Sequence, residues 1–107
     1  MSNSASPTDI LTIVAGTLVA KQTYASIEDA LRGLALSAVQ SKAAYYRRRI
    51  RKFERKHSTD FDSFSARLKG RATPAEEDDW LEWRSARRML ADWQQAQRDL
   101  LDDRSRR

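Results

Sequence analysis

The stretch from Ser26 to His57 contains no proline, and its apolar residues recur at alternating steps of three and four. The later members of this seam are Leu36, Val39, Ala43, Tyr46, Ile50 and Phe53. Such spacing lines apolar side chains along one side of a helix, as in a coiled coil. Ser26 is a natural N-cap, and Glu28 and Asp29 suit the positive helix end. We predict a helix over about residues 26–57, about 45 Å long.

A second long helix is indicated by the segment Thr73-Pro74-Ala75-Glu76, which has the form of a capping box with proline at the first helical position. Its apolar seam again shows heptad-like spacing. The seam consists of Trp80, Trp83, Ala86 or Arg87, Leu90, Trp93 and Leu100. We predict this helix over about residues 74–103. Between the two long helices, Asp60 should cap a short helix over residues 61–69, and Gly70 should end it.

A third apolar segment begins the chain, with a helix predicted over residues 7–22. Its apolar residues cover more than half of the helix circumference, so it must be buried between other elements or in a partner. A domain of this size rarely buries such a helix and three tryptophans by itself, which indicates a second chain. We expect Ile10, Ile13 and Val14 to contact a partner and to support a homo-oligomer. The polar ends, residues 1–6 and 104–107, are expected to fray.

Charge is distributed unevenly along the chain, which carries a net +5. Segment 42–57 has eight Lys or Arg and one Glu, a net +7, whereas segment 74–84 has five acids and one Arg, a net −4. Two long helices joined by a short connection most simply pack antiparallel, which places these segments side by side. The sequence therefore predicts a single all-α domain over residues 1–107, built on a long antiparallel helical hairpin.

Side chains that support catalysis or metal binding are scarce. The chain has one histidine, His57, no cysteine and only isolated glycines, so it lacks metal-ligand spacing and a phosphate-binding loop. We predict that it is not an enzyme and needs no cofactor and no metal. The absence of cysteine fits the reducing cytoplasm. The apolar run 10–20 is shorter than the roughly 20 residues that span a bilayer, so we expect a cytoplasmic protein without a membrane partner.

Aromatic and basic residues are mixed in the second half of the first long helix. The residues that suit phosphate contact and base stacking are Tyr45, Arg47, Arg48, Arg49, Arg51 and Lys52. Nucleic-acid-binding proteins use this mixture. Three interpretations remain open for this face: internal pairing or solvation, contact with an acidic protein, and direct contact with nucleic acid. The tryptophans are likewise open to a core interpretation and to an interface interpretation, because tryptophan is enriched at binding hot spots.

Several short motifs resemble a family of small helical antitoxins encoded beside a ribonuclease-type toxin. The matching stretches are Tyr24–Arg32, Lys42 with Tyr45, Phe53–His57, Asp60–Phe64 and Glu77–Trp83. Together they extend from about Tyr24 to Leu90. The connection Ser58-Thr59-Asp60 departs from the family, which usually has Gly-Met-Ser there, and the N-terminal helix is more apolar than expected.

The resemblance implies that the chain neutralises a toxin by direct contact and that any catalysis belongs to the toxin. A nuclease needs a basic surface for RNA, and an acidic helix start can imitate phosphate groups on such a surface. The residues expected to make this contact are Glu77, Asp78, Asp79, Trp80, Glu82 and Trp83. A basic helical nucleic-acid-binding protein and a self-associating structural module are the two alternatives.

Overall fold

The computed structural model describes residues 7–20 and 26–105, which form four helices. These are α1 (Pro7–Ala20), α2 (Ile27–His57), α3 (Phe61–Leu68) and α4 (Pro74–Ser105). The all-α prediction is confirmed. Helix α4 continues to Ser105, two residues beyond the predicted end at about residue 103. The predicted end of the first helix at residues 21–22 lies outside the described residues, as do the terminal segments 1–6 and 106–107.

The three predicted helix starts are formed by the side chains that indicated them. The Ser26 hydroxyl accepts a hydrogen bond from the N–H of Asp29 at 3.1 Å. The Asp60 carboxylate accepts one from the N–H of Ser63 at 2.8 Å, and this bond lowers the pKa of Asp60.

At the start of α4 the capping box is reciprocal. The carboxylate of Glu76 accepts from the N–H of Thr73 at 3.0 Å, and the Thr73 hydroxyl accepts from the N–H of Glu76 at 3.2 Å. The hydrogen bond from the Thr73 backbone lowers the pKa of Glu76.

Helices α2 and α4 pack along each other, α1 packs against α2, and α3 packs against α4. The molecule measures 59 × 42 × 20 Å. Since one helix with its side chains is about 10–12 Å across, the shortest dimension admits only two helix layers. The main core is accordingly small and lies where α2 ends and α4 begins. Its buried members are Phe53, Phe64, Leu68 and Trp83.

Helix α1 lies at the other end of the hairpin. Only residues 21–26 separate it from α2, and its 14 residues extend about 21 Å. Its contacts therefore fall on the N-terminal half of α2. Ala15 of α1 and Ala30 of α2 are fully buried, whereas most other α1 side chains are exposed. None of the described helices has the length and hydropathy needed to cross a bilayer.

Helix α2 ends at Ser58, which adopts the left-handed conformation with φ of 54° and donates its N–H to the carbonyl oxygen of Glu54. This position usually carries glycine, because a Cβ atom is strained there.

Ser58→Gly should therefore stabilise the protein by about 1 kcal/mol, measured by urea unfolding. The exposed mid-helix change Ser41→Gly should have the opposite sign, because glycine disfavours a helix interior. A destabilised Ser58→Gly variant would contradict this account of the helix end.

Candidate binding surfaces

Trp83 lies at the centre of the core and not on a surface. It is fully buried, and its ring stacks on Phe53 with centroids 5.7 Å apart. Phe61 and Phe64 of α3 approach the same ring at 5.5 and 5.4 Å. The core interpretation therefore applies to Trp83. The expected partner contact is corrected for this residue, since no face of its ring is accessible.

Asp79 is used within the fold. Its carboxylate Oδ2 lies 2.7 Å from Lys56 Nζ and 2.8 Å from His57 Nε2, and its side chain is only 17% exposed. Burial raises the pKa of Asp79, but the hydrogen bonds and charges of Lys56 and His57 outweigh it, so the pKa lies below the ordinary 3.8. Asp79, one of the residues predicted to contact a partner, thus ties the start of α4 to the end of α2.

The next turn of α4 makes a second ion pair with α2. Glu82 Oε2 lies 2.9 Å from Arg49 Nη2. The Arg49 guanidinium also lies 5.9 Å from the ring centroids of Tyr45 and Phe53. The predicted juxtaposition of the basic and acidic segments is thus confirmed. Arg49, one of the residues predicted to face a nucleic acid, belongs to this internal pairing.

Two acids of the α4 start remain exposed, namely Glu77 and Asp78. Leu81, which is 49% exposed, lies on the same face as both, because it follows them by four and three residues. Leu81 is not among the residues predicted from the sequence, although its spacing from the two acids was a usable signal. We name Glu77, Asp78 and Leu81 the acidic patch.

Trp80 is half-buried beside the acidic patch. Its ring stacks on Phe61 at 5.9 Å, and its Nε1 donates a hydrogen bond to Ser65 Oγ at 2.8 Å. The guanidinium of Arg84 lies 4.9 Å from the ring centroid. A groove of about 210 Å³ runs along the indole and is also lined by Leu68, Ala72 and Glu77. Trp80 therefore keeps one accessible edge next to an exposed carboxylate.

The outward side of α1 is apolar. Ile10 is 52% exposed, Ile13 66% and Val14 41%. Ala15 on the opposite side of the helix is buried, so α1 is apolar both where it contacts α2 and where it faces away. We name Ile10, Ile13 and Val14 the α1 face.

A third surface is formed by the outer side of α2. Its members are the exposed side chains of Arg47, Arg48, Arg51, Lys52 and Arg55. Tyr45 is 44% exposed at its edge, whereas Tyr46 is half-buried as its place on the apolar seam predicts. We name the five cations the basic face. The residues predicted to contact nucleic acid included Arg49, which is not part of the basic face, and did not include Arg55, which is.

His57 has a larger structural role than its sequence position suggested. Its ring lies 4.1 Å from the Phe64 ring and 6.0 Å from the Trp83 ring, parallel to the latter within 15°. Arg67 of α3 donates a hydrogen bond to the carbonyl oxygen of His57 at 3.3 Å. These aromatic neighbours come from other helices, so the position of His57 in the sequence indicates only a cation near the end of α2.

Within the described residues, no group of three or more His, Asp or Glu side chains is arranged to hold a metal ion. Comparison with protein-family models, with curated proteins and with solved structures finds no match to the chain. The fold and its surfaces thus define an all-α helical hairpin. The antitoxin resemblance continues to rest on the short motifs alone.

The Asp79 contact yields a prediction for stability. Asp79→Asn should lower the free energy of unfolding by about 1.5–3 kcal/mol at pH 7, because it weakens two charge-assisted hydrogen bonds. The matched change Glu82→Gln, at a more exposed pair, should cost less than about 1 kcal/mol. Because the folded pKa of Asp79 is lowered, its contribution is present above the ordinary carboxyl pKa and is lost as the pH falls.

Urea unfolding from pH 7 down to pH 2 is the measurement. The stability gap between wild type and Asp79→Asn should narrow below the ordinary pKa of 3.8. Two outcomes would contradict the structural role assigned to Asp79. One is an equal loss of unfolding free energy in the Asp79 and Glu82 variants, and the other is a stability difference between wild type and Asp79→Asn that increases at acidic pH.

Proposed function

We propose that this protein is a non-catalytic binding protein and that it acts as an antitoxin, neutralising a ribonuclease-type toxin by direct protein–protein contact. The resemblance suggests the toxin, and the surfaces suggest contact as the mode of action. The cysteine-free sequence fits work in the cytoplasm.

The α1 face is the observation that carries this proposal. A 14-residue helix presents four large aliphatic side chains to solvent, the three of the α1 face and Leu11, and the only ionisable residue in it is Asp9. Monomeric proteins rarely expose contiguous apolar surface of this kind, because its burial is favourable. A protein partner suits such a surface, since the fully buried core of a protein interface is more apolar than the rest of the surface.

The acidic patch supports a second contact on the same partner. Glu77 and Asp78 are exposed and make no ion pair with another described residue, while Leu81 and the edge of Trp80 supply apolar area beside them. This combination suits a basic surface such as that of an RNA-cleaving enzyme. The imitation of phosphates is therefore carried by two acids, because Asp79 and Glu82 are committed to α2.

The α1 face also supports the expected homo-oligomer. A second copy of the chain is the competing occupant of this face, and the two occupants predict different behaviour. A self-associated chain shows a molecular mass that rises with concentration in light scattering. A face reserved for the toxin leaves the isolated chain monomeric and becomes protected from hydrogen exchange only in the complex.

Co-expression in a bacterial host tests the proposal. A small nuclease-type reading frame is expected beside the gene, and its product should arrest growth unless this chain is co-expressed. The variant Ile10→Gln/Ile13→Gln/Val14→Gln should weaken binding of that toxin on the order of 100-fold and abolish rescue. Glutamine preserves helix propensity, so the circular dichroism spectrum should not change. The control Ile10→Leu/Ile13→Leu/Val14→Leu keeps the face apolar and should rescue growth.

The acidic patch yields a separate prediction. Glu77→Gln/Asp78→Asn should weaken toxin binding about 3- to 10-fold at low salt, mainly through slower association. The charge-matched control Glu54→Gln/Asp92→Asn removes two exposed acids elsewhere and should bind like wild type. Titration calorimetry at 0.05 and 0.5 M salt is the measurement. Unchanged affinity of the Glu77/Asp78 variant would reject phosphate imitation, and failure of wild type to rescue growth would reject the antitoxin proposal as a whole.

A further inference from the structure

The basic face of α2 is a surface that the proposed function does not use. Arg47, Arg51 and Arg55 follow one another at steps of four residues, and Arg48 and Lys52 form a parallel row beside them. Side chains at this spacing share one side of a helix. Five cations are therefore gathered along about 12 Å of helix.

The fold separates these cations from the other bases of the same helix. Arg49 pairs with Glu82, and Lys56 pairs with Asp79. No member of the basic face makes an ion pair or a side-chain hydrogen bond with another described residue. The antiparallel packing thus neutralises one side of α2 and leaves the opposite side cationic.

Intrahelical effects do not account for this arrangement. Like charges four residues apart repel each other, as in the pairs Arg47–Arg51 and Arg48–Lys52. The negative end of the helix dipole favours cations only in the last turn, which includes Arg55 but neither Arg47 nor Arg48. A polyanion bound along the face would relieve the repulsion.

The chemistry of the face selects among polyanions. Four of its five cations are arginines, whose guanidinium groups form bidentate hydrogen bonds with phosphate. The face contains no large aliphatic side chain of the kind that inserts into a membrane. Tyr45 at its edge offers an exposed ring on which a base can stack.

We propose that the basic face binds the phosphodiester backbone of a nucleic acid. This activity is independent of the proposed toxin contact, because the α1 face lies on the N-terminal half of the hairpin and the basic face on the C-terminal half of α2. The backbone contacts carry no sequence information, so binding depends on charge and salt.

Fluorescence anisotropy with the full chain tests the proposal. The probes are fluorescein-labelled 20-nucleotide DNA duplex, RNA duplex and single-stranded RNA, each at 50 to 400 mM salt. For duplex DNA, the logarithm of the binding constant should fall with the logarithm of salt concentration with a slope of about −4, as expected for four to five neutralised phosphates. Tighter binding of one probe identifies the form of nucleic acid that the face prefers.

The variant Arg47→Gln/Arg51→Gln/Arg55→Gln should bind at least 10-fold more weakly at 100 mM salt, with the magnitude of the slope reduced by about 2–3. The control Lys69→Gln/Arg71→Gln/Arg88→Gln removes three exposed cations outside the basic face and should bind like wild type. An equal loss of affinity in both variants would show that binding depends on net charge alone, and it would overturn the proposal. Absence of binding at 50 mM salt, or binding to phosphatidylserine vesicles without binding to any oligonucleotide, would also overturn it. The α1-face glutamine variant should retain nucleic-acid binding, which separates this test from that of the toxin contact.

Discussion

Burial of the Trp83 ring is the interaction on which the rest of the structure depends. This one side chain contacts Phe53 and His57 of α2 and Phe61 and Phe64 of α3. Because the molecule is only two helix layers thick, few other residues are fully buried, and the core is concentrated around this ring. The Trp83 contacts therefore fix how far α4 is displaced along α2, and with it the position of every charged residue on the two helices.

The fixed register determines which charges are neutralised inside the protein. When Trp83 packs on Phe53, charged residues beside the apolar seams of the two helices meet in pairs. Glu82 then lies beside Arg49, and Asp79 lies beside Lys56. A displacement by one helical turn would break both pairs. The Trp83 contacts, and not the ion pairs, select this register, since an exposed pair such as Arg49–Glu82 contributes only about 0–1 kcal/mol. The charges that remain on the outside follow from this selection.

The helix boundaries and the hairpin were predictable because their signals are local. Caps such as Ser26 and Asp60 act on backbone N–H groups two to three residues away, and an apolar seam is a property of one helix. The roles of Trp80 and Trp83 were not separable, because both lie on the α4 seam and only the placement of α3 decides which ring is enclosed. Arg49 and Arg51 likewise look alike in sequence, and only the neighbouring helix distinguishes the paired residue from the free one.

The separation of the surfaces follows from the same geometry. The α1 face is attached to the beginning of α2, whereas the acidic patch and the basic face lie near its end, on different helices. A partner that contacts both the α1 face and the acidic patch must therefore extend along much of the 59 Å length of the molecule. The acidic patch lies in the first turns of α4, whereas the basic face lies on α2, where Arg47 and Arg51 line a groove with Leu90 of α4. Because the core of the hairpin is small, most of its other side chains lie at the surface. The ion pairs between α2 and α4 determine which of these surfaces keep an unpaired charge.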